Sequence, residues 1–105
     1  MKHILVIVLI VLTSYAFALT ETIDGITWTY TIKNGEANVG GRITGGTYGA
    51  AIPRTTKGEI SIPNILGGCP VVSIENSAFS GCDGLTNVVI PYGIKFIGHS
   101  AFSGC

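Results

Sequence analysis

The clearest pattern along the chain lies at 26–33, "ITWTYTIK", where Ile26, Trp28, Tyr30 and Ile32 alternate with Thr27, Thr29, Thr31 and Lys33. A period of two predicts a strand with one buried face. Asn34-Gly35 follows, and both residues tolerate the positive φ of a two-residue hairpin turn. Such a turn fixes the register: Lys33 opposite Glu36, Ile32 opposite Ala37, Tyr30 opposite Val39. The apolar face then continues into the second strand, and the Lys33–Glu36 pair faces solvent. Trp28 and Tyr30 could form an aromatic platform for a sugar, but their alternation with threonines favours packing.

The next stretch, "GGRITGGTYGAAIPRTTKG", carries six glycines and one proline and reads as a loop with a short strand near Ile43. A phosphate cradle would need a strand before the glycines and a helix start after them. No helical pattern follows.

The C-terminal half is periodic. "VVSIENSAFSGC" at 71–82 and "IKFIGHSAFSGC" at 94–105 share seven of twelve positions at an offset of 23. A period between about 20 and 29 residues marks a solenoid of stacked coils. Between the copies, Leu85, Val88 and Ile90 fit an L-x-x-L-x-L spacing. Val88 and Ile90 are expected to fill the interior from one side, and Ile94 and Ile97 from the other. Pro91 ends the strand, because it has no N–H for a ladder. Ala101 and Phe102 close the coil, Gly104 lets the chain turn, and Cys105 packs as a small apolar residue. An earlier coil begins at "EISIP", 59–63, the counterpart of "NVVIP" at 87–91. Eight residues separate Pro63 from Val71, but three separate Pro91 from Ile94. A five-residue insertion within "NILGGCP" therefore bulges from the first coil and holds Cys69.

The N-terminal pattern is of another kind. "MKH" is positive, "ILVIVLIVL" is an apolar run, and Ala16-Phe17-Ala18 is a small-x-small site. Residues 1–18 read as a signal peptide cleaved after Ala18. The run falls short of the roughly 20 residues of a membrane helix, so no membrane span is expected after cleavage. The 87 residues from Leu19 carry five basic and six acidic side chains, a net charge of −1 without clustering. Nucleic-acid binding would call for a basic stripe, and none exists.

The repeat pattern I-x-x-x-A-F-x-G-C-x-x-L-x-x-V-x-I-P is carried by Ile74, Ala78, Phe79, Gly81, Cys82, Leu85, Val88, Ile90 and Pro91. It recurs at Ile97, Ala101, Phe102, Gly104 and Cys105. This resembles the BspA-type leucine-rich repeats of bacterial and protozoan surface proteins, over about 58–105. The leader and hairpin resemble the region that often precedes such repeats in exported bacterial proteins. The resemblance implies a secreted or cell-surface protein that binds protein or matrix partners, without enzymatic activity. Family members usually carry many repeats, so a fragment or truncated product is expected. Its last coil would lack a cap and expose an apolar face.

The organisation expected is mainly β: a signal peptide (1–18), an N-terminal β-hairpin and Gly-rich loop as a cap (19–57), and a short leucine-rich-repeat solenoid (58–105). The whole amounts to about two and a half coils of 23 residues. No catalytic, cofactor or metal residues are assigned. His99 stands at the position equivalent to Asn76 and reads as a turn residue. Asp24-Gly25 and Asp83-Gly84 read as turn chemistry. The three cysteines form no metal-ligand spacing. Cys82 and Cys105 are expected as stacked buried thiols, with a bridge between them, or pairing of an exposed Cys69 with another chain, left open. The outward strand positions Glu59, Ser61, Asn87 and Val89, with Tyr92 at the edge, are the candidate partner-binding surface for a protein or glycan. A structural spacer within a larger exported protein is the alternative, as is a truncated product without independent function.

Overall fold

The computed structural model describes residues 18–42 and 48–105. The proposed signal peptide up to Phe17 and the strand expected near Ile43 lie outside them. Among the described residues, all ten elements of regular structure are strands.

Three of them build the N-terminal unit: β1 (Leu19–Ile23), β2 (Ile26–Lys33) and β3 (Glu36–Val39). The β2–β3 hairpin has the expected register, with Lys33 opposite Glu36, Ile32 opposite Ala37 and Tyr30 opposite Val39. Asn34 and Gly35 take φ of 52° and 76°, the left-handed pair a type I′ turn requires. Trp28 and Tyr30 are buried, so they are core and not a sugar platform. β1 is an addition to the sequence reading. Asp24 and Gly25 repeat the same turn, with φ of 51° and 80°, and fold β1 back along β2.

The segment read as a glycine-rich loop contains two short strands. β4 (Gly41–Arg42) pairs antiparallel with β5 (Tyr48–Gly49). Beyond them Ala51 and Ile52 enter the core. The Thr29 amide donates to the Ala51 carbonyl at 2.7 Å, and the Ala51 amide donates to the Ala78 carbonyl at 2.7 Å. Ala51 thereby extends the hydrogen bonding of the N-terminal sheet into the first corner of the repeats.

The coils use two sets of parallel strands. On one side β6 (Gly58–Ser61) pairs with β9 (Leu85–Val89). On the other, β8 (Cys69–Ile74) pairs with β10 (Phe96–Ile97). Ser73 stands opposite Phe96 and Ile74 opposite Ile97, 23 residues apart in each case. Glu59 stands opposite Asn87, Ile60 opposite Val88 and Ser61 opposite Val89, 28 residues apart. The difference of five is the insertion. It does not merely bulge. β7 (Ile65–Leu66) turns back antiparallel onto the start of β8, and Leu66 is fully buried.

Between the strands, the two "AFSGC" segments form matching corners. Ser77 and Ser100 have φ of 58° and 57°, and Gly81 and Gly104 have 76° and 77°. The corners are laced together by Ser77 N–H to the His99 carbonyl (3.0 Å), Phe79 N–H to Ala101 (2.7 Å) and Gly81 N–H to Ser103 (2.8 Å). Ala78, Phe79 and Cys82 are fully buried.

The N-terminal unit and the coils share one sheet, in the order β1-β2-β3-β8-β10. β3 runs parallel to β8, as if it were the strand of a preceding coil. Trp28 plays the matching part inside. Its ring meets Phe79 edge-on at 6.1 Å, and Phe79 stacks on Phe102 at 5.1 Å with the rings 2° from parallel. The hairpin thus covers the apolar end that the first coil would otherwise present to water.

Several interior assignments need correction at the other end. Ile90 and Ile97, expected inside, are 42% and 52% exposed. Ile90 directly follows β9 and Ile97 lies in β10, both edge strands of their sheets, and no further coil packs on them among the described residues. Cys105 is exposed for the same reason, whereas Cys82 is buried and Cys69 half-buried rather than exposed.

Candidate functional site

The outer face of the β6–β9 ladder collects the candidate binding residues. In a strand, alternate side chains point to opposite faces. Ile60 and Val88 point inward and pack with the core. Glu59, Ser61, Asn87 and Val89 therefore point outward, and all four are exposed. Parallel pairing sets them in two rows, Glu59 beside Asn87 and Ser61 beside Val89. The Asn87 amide donates to a Glu59 carboxylate oxygen at 2.6 Å, which holds both polar heads in one orientation. Tyr92 follows Pro91 at the corner after β9 and is completely exposed. The structure thus brings four of the five residues onto one ladder face, with the fifth at its edge.

Chemically this face offers a carboxylate, an amide, a hydroxyl and an exposed phenol. That set can accept and donate hydrogen bonds and stack on a flat apolar group. Val89 is 46% exposed at the position where the neighbouring coil has Ser61. An apolar side chain on a solvent position contributes nothing to the core.

The second ladder adds a feature that the strand pattern did not single out. Phe96 is 70% exposed at the outward position held by Ser73 in the preceding coil. Ser73, its neighbour in the ladder, is buried between Phe96 and Asn38 and donates to the Asn38 side chain. The contrast between Ser73 and Phe96 at equivalent repeat positions was the available sequence signal.

The groups whose titration is shifted lie elsewhere. Burial pushes the Cys82 thiol above its ordinary range; the neighbouring Cys105 adds to the rise, and Arg54 opposes it. Tyr30 is also raised, first by burial and then by Glu21 and Cys69. His99 is exposed and donates its backbone N–H to the Asn76 side chain at 2.7 Å, a turn role that matches the sequence reading. Among the described residues, no group of three or more His, Cys, Asp or Glu side chains is placed to hold a metal ion.

The insertion hairpin is tied to the N-terminal unit. The Gly67 amide donates to a Glu21 carboxylate oxygen at 2.9 Å. A Cβ on Gly67 would stand 2.8 Å from the Tyr30 hydroxyl, so only glycine fits there. The insertion is thereby anchored across β1 and β2 instead of hanging free.

Comparison with known proteins agrees with this architecture. The chain is similar in structure to the leucine-rich-repeat protein of T. pallidum, seen in its crystal structure, with a TM-score of 0.62 and 24% identity. The likeness covers 81% of this chain and 35% of that one, so the chain spans about a third of the other's length. No curated protein matches. Residues 57–105 match the family described as a BspA type leucine-rich-repeat region (6 copies), a family of repeat proteins that is generally non-enzymatic. Taken with the 23-residue register of the coils, that match identifies residues 57–105 as a BspA-type leucine-rich-repeat region.

Proposed function

We propose that the chain is a non-catalytic binding module of a secreted or surface-exposed protein, and that it engages a protein or glycan through the outer face of β6 and β9. One observation carries the reading: Glu59, Ser61, Asn87 and Val89 share one exposed ladder face, with the fully exposed Tyr92 at its edge. Proteins of this repeat type are typically surface-bound or secreted. Among the described residues, no helix is long and apolar enough to cross a membrane.

The test is binding of the chain to an array of glycans and extracellular matrix proteins. At least one ligand is expected to be retained. The double variant Asn87→Ala, Tyr92→Ala should fold as well as the parent, since both side chains are exposed. It should lose affinity at least about tenfold, the ordinary consequence of truncating an aromatic contact in an interface. Retention of full affinity by the double variant would move the site off this face. A second reading, a spacer within a longer exported protein, is favoured by the 35% coverage of the T. pallidum chain. A blank array would favour that reading.

A further inference from the structure

We propose that Cys82 and Cys105 form a redox-controlled staple between adjacent coils, closing to a disulfide in the presence of a small disulfide oxidant of the glutathione type. The two residues are equivalent, 23 positions apart, at the ends of matching corners. Hydrogen bonds from Phe79 N–H to the Ala101 carbonyl (2.7 Å) and from Gly81 N–H to Ser103 (2.8 Å) hold those corners together. Neighbouring strands at about 4.8 Å fall within the roughly 4.4–6.8 Å between Cα atoms that a disulfide spans.

The side chains already converge. The Cys105 thiol reaches back across the gap to donate to the Phe79 carbonyl at 3.1 Å. That same oxygen accepts the Cys82 backbone N–H at 3.1 Å. The Cys105 sulfur therefore lies over the turn that ends in Cys82. Parallel Cβ atoms start about 1 Å wider than the usual disulfide separation, so closure draws the second corner inward. Gly81 and Gly104 face each other beside the pair, and neither puts a side chain in the way. Stacked thiols, the arrangement expected from the repeat, describe the reduced state, and both cysteines are free in this structure.

Exposure sets the order of steps. Cys105 is exposed and Cys82 buried, so the Cys105 thiolate attacks the oxidant first. The S–S bond of the oxidant breaks, one glutathione thiol leaves, and a mixed disulfide remains on Cys105. Cys82 then gives up its proton and attacks the Cys105 sulfur, which releases the second glutathione. Two protein thiols are oxidised and one glutathione disulfide is reduced to two thiols. Because the Cys82 thiol resists ionisation, this second step is the slow one.

The experiment uses the chain with Cys69→Ser, which leaves two cysteines. It is incubated with oxidised glutathione, alkylated and digested with trypsin. Cleavage after Lys57 and Lys95 puts Cys82 on the fragment 58–95 and Cys105 on 96–105. The expected result is complete loss of free thiol and a linked pair of fragments two hydrogens lighter than their sum. No glutathione should be retained, and the chain should stay monomeric on a non-reducing gel. In Cys105→Ser, Cys82 should remain reduced. Fragment sequencing of the unsubstituted chain reads the same link if Cys69→Ser disturbs folding. Glutathione persisting on Cys105 with Cys82 free overturns the proposal. So does a link between two chains, or modification of Cys82 at an undiminished rate in Cys105→Ser.

Discussion

Phe79→Ala is expected to cost about 4 kcal/mol of folding stability, the middle of the range for removing a buried phenylalanine ring. Phe79 is fully buried. Its ring contacts Trp28 of the N-terminal unit on one side and Phe102 of the next coil on the other. Two costs combine: the transfer of apolar surface, and a cavity that neighbours on both sides cannot close. Neither coil can slide toward the gap without breaking the corner bonds at Phe79, Gly81 and Ser77. A domain of this size is stable by about 5–15 kcal/mol, so the variant should lose a large fraction of its margin. Phe102→Ala is the internal comparison. Its side chain is only half-buried and stacks on one partner, so about 1–2 kcal/mol is expected. Urea unfolding of both variants measures the difference. Equal costs would mean that Phe79 is not the centre of a column joining the hairpin to the coils.

Gly98→Ala is the second large effect, at about 3 kcal/mol, toward the upper end for overpacking. A Cβ there would stand 2.5 Å from the Asn76 backbone nitrogen and 2.5 Å from its side-chain oxygen. Backbone cannot rotate away as a flexible side chain can. Retreat would stretch the Gly98 N–H bond to the Ile74 carbonyl (2.8 Å) and the His99 N–H bond to Asn76 (2.7 Å). Gly93→Ala is the control, since its added Cβ meets only the Val71 carbonyl at 3.4 Å. That variant should stay within about 1 kcal/mol of the parent. Comparable losses in the two variants would mean that the coils are not packed as tightly at position 98 as the ladder requires.

Gly98 also shows where sequence reasoning stopped. Aligning the repeats puts Gly98 against Glu75, and nothing in that alignment marks the position as tightly packed. In three dimensions Gly40, Glu75 and Gly98 follow one another down the stack. A Cβ on Gly40 would approach that of Glu75 at 3.2 Å, and one on Gly98 would meet the Glu75 carbonyl carbon at 2.7 Å. One side chain fits there, flanked by glycines. Alternation along "ITWTYTIK", the Asn34-Gly35 turn and the 23-residue offset were legible because each is a local signal with a fixed geometric meaning. β1 was not, because Leu19–Ile23 has a single half-buried position and four exposed ones. Ala51 and Ile52 were hidden among glycines, since tertiary contacts and not periodicity bury them. The candidate surface was more readable than the insertion hairpin. Outward positions follow from strand parity, but Leu66 becomes core only through a turn at Gly67-Gly68 that pairs β7 with β8.

The hairpin cap shares one sheet with the coils' β8–β10 ladder, at an offset of 23 residues, and a separate β6–β9 ladder runs at an offset of 28. Backbone nuclear Overhauser effects in solution test it most directly. Inter-strand signals are expected between Ser73 and Phe96 and between Glu59 and Asn87, with Asn38 adjoining Ser73 from the hairpin side. Signals at another offset, or a hairpin with no contact to β8, would contradict it.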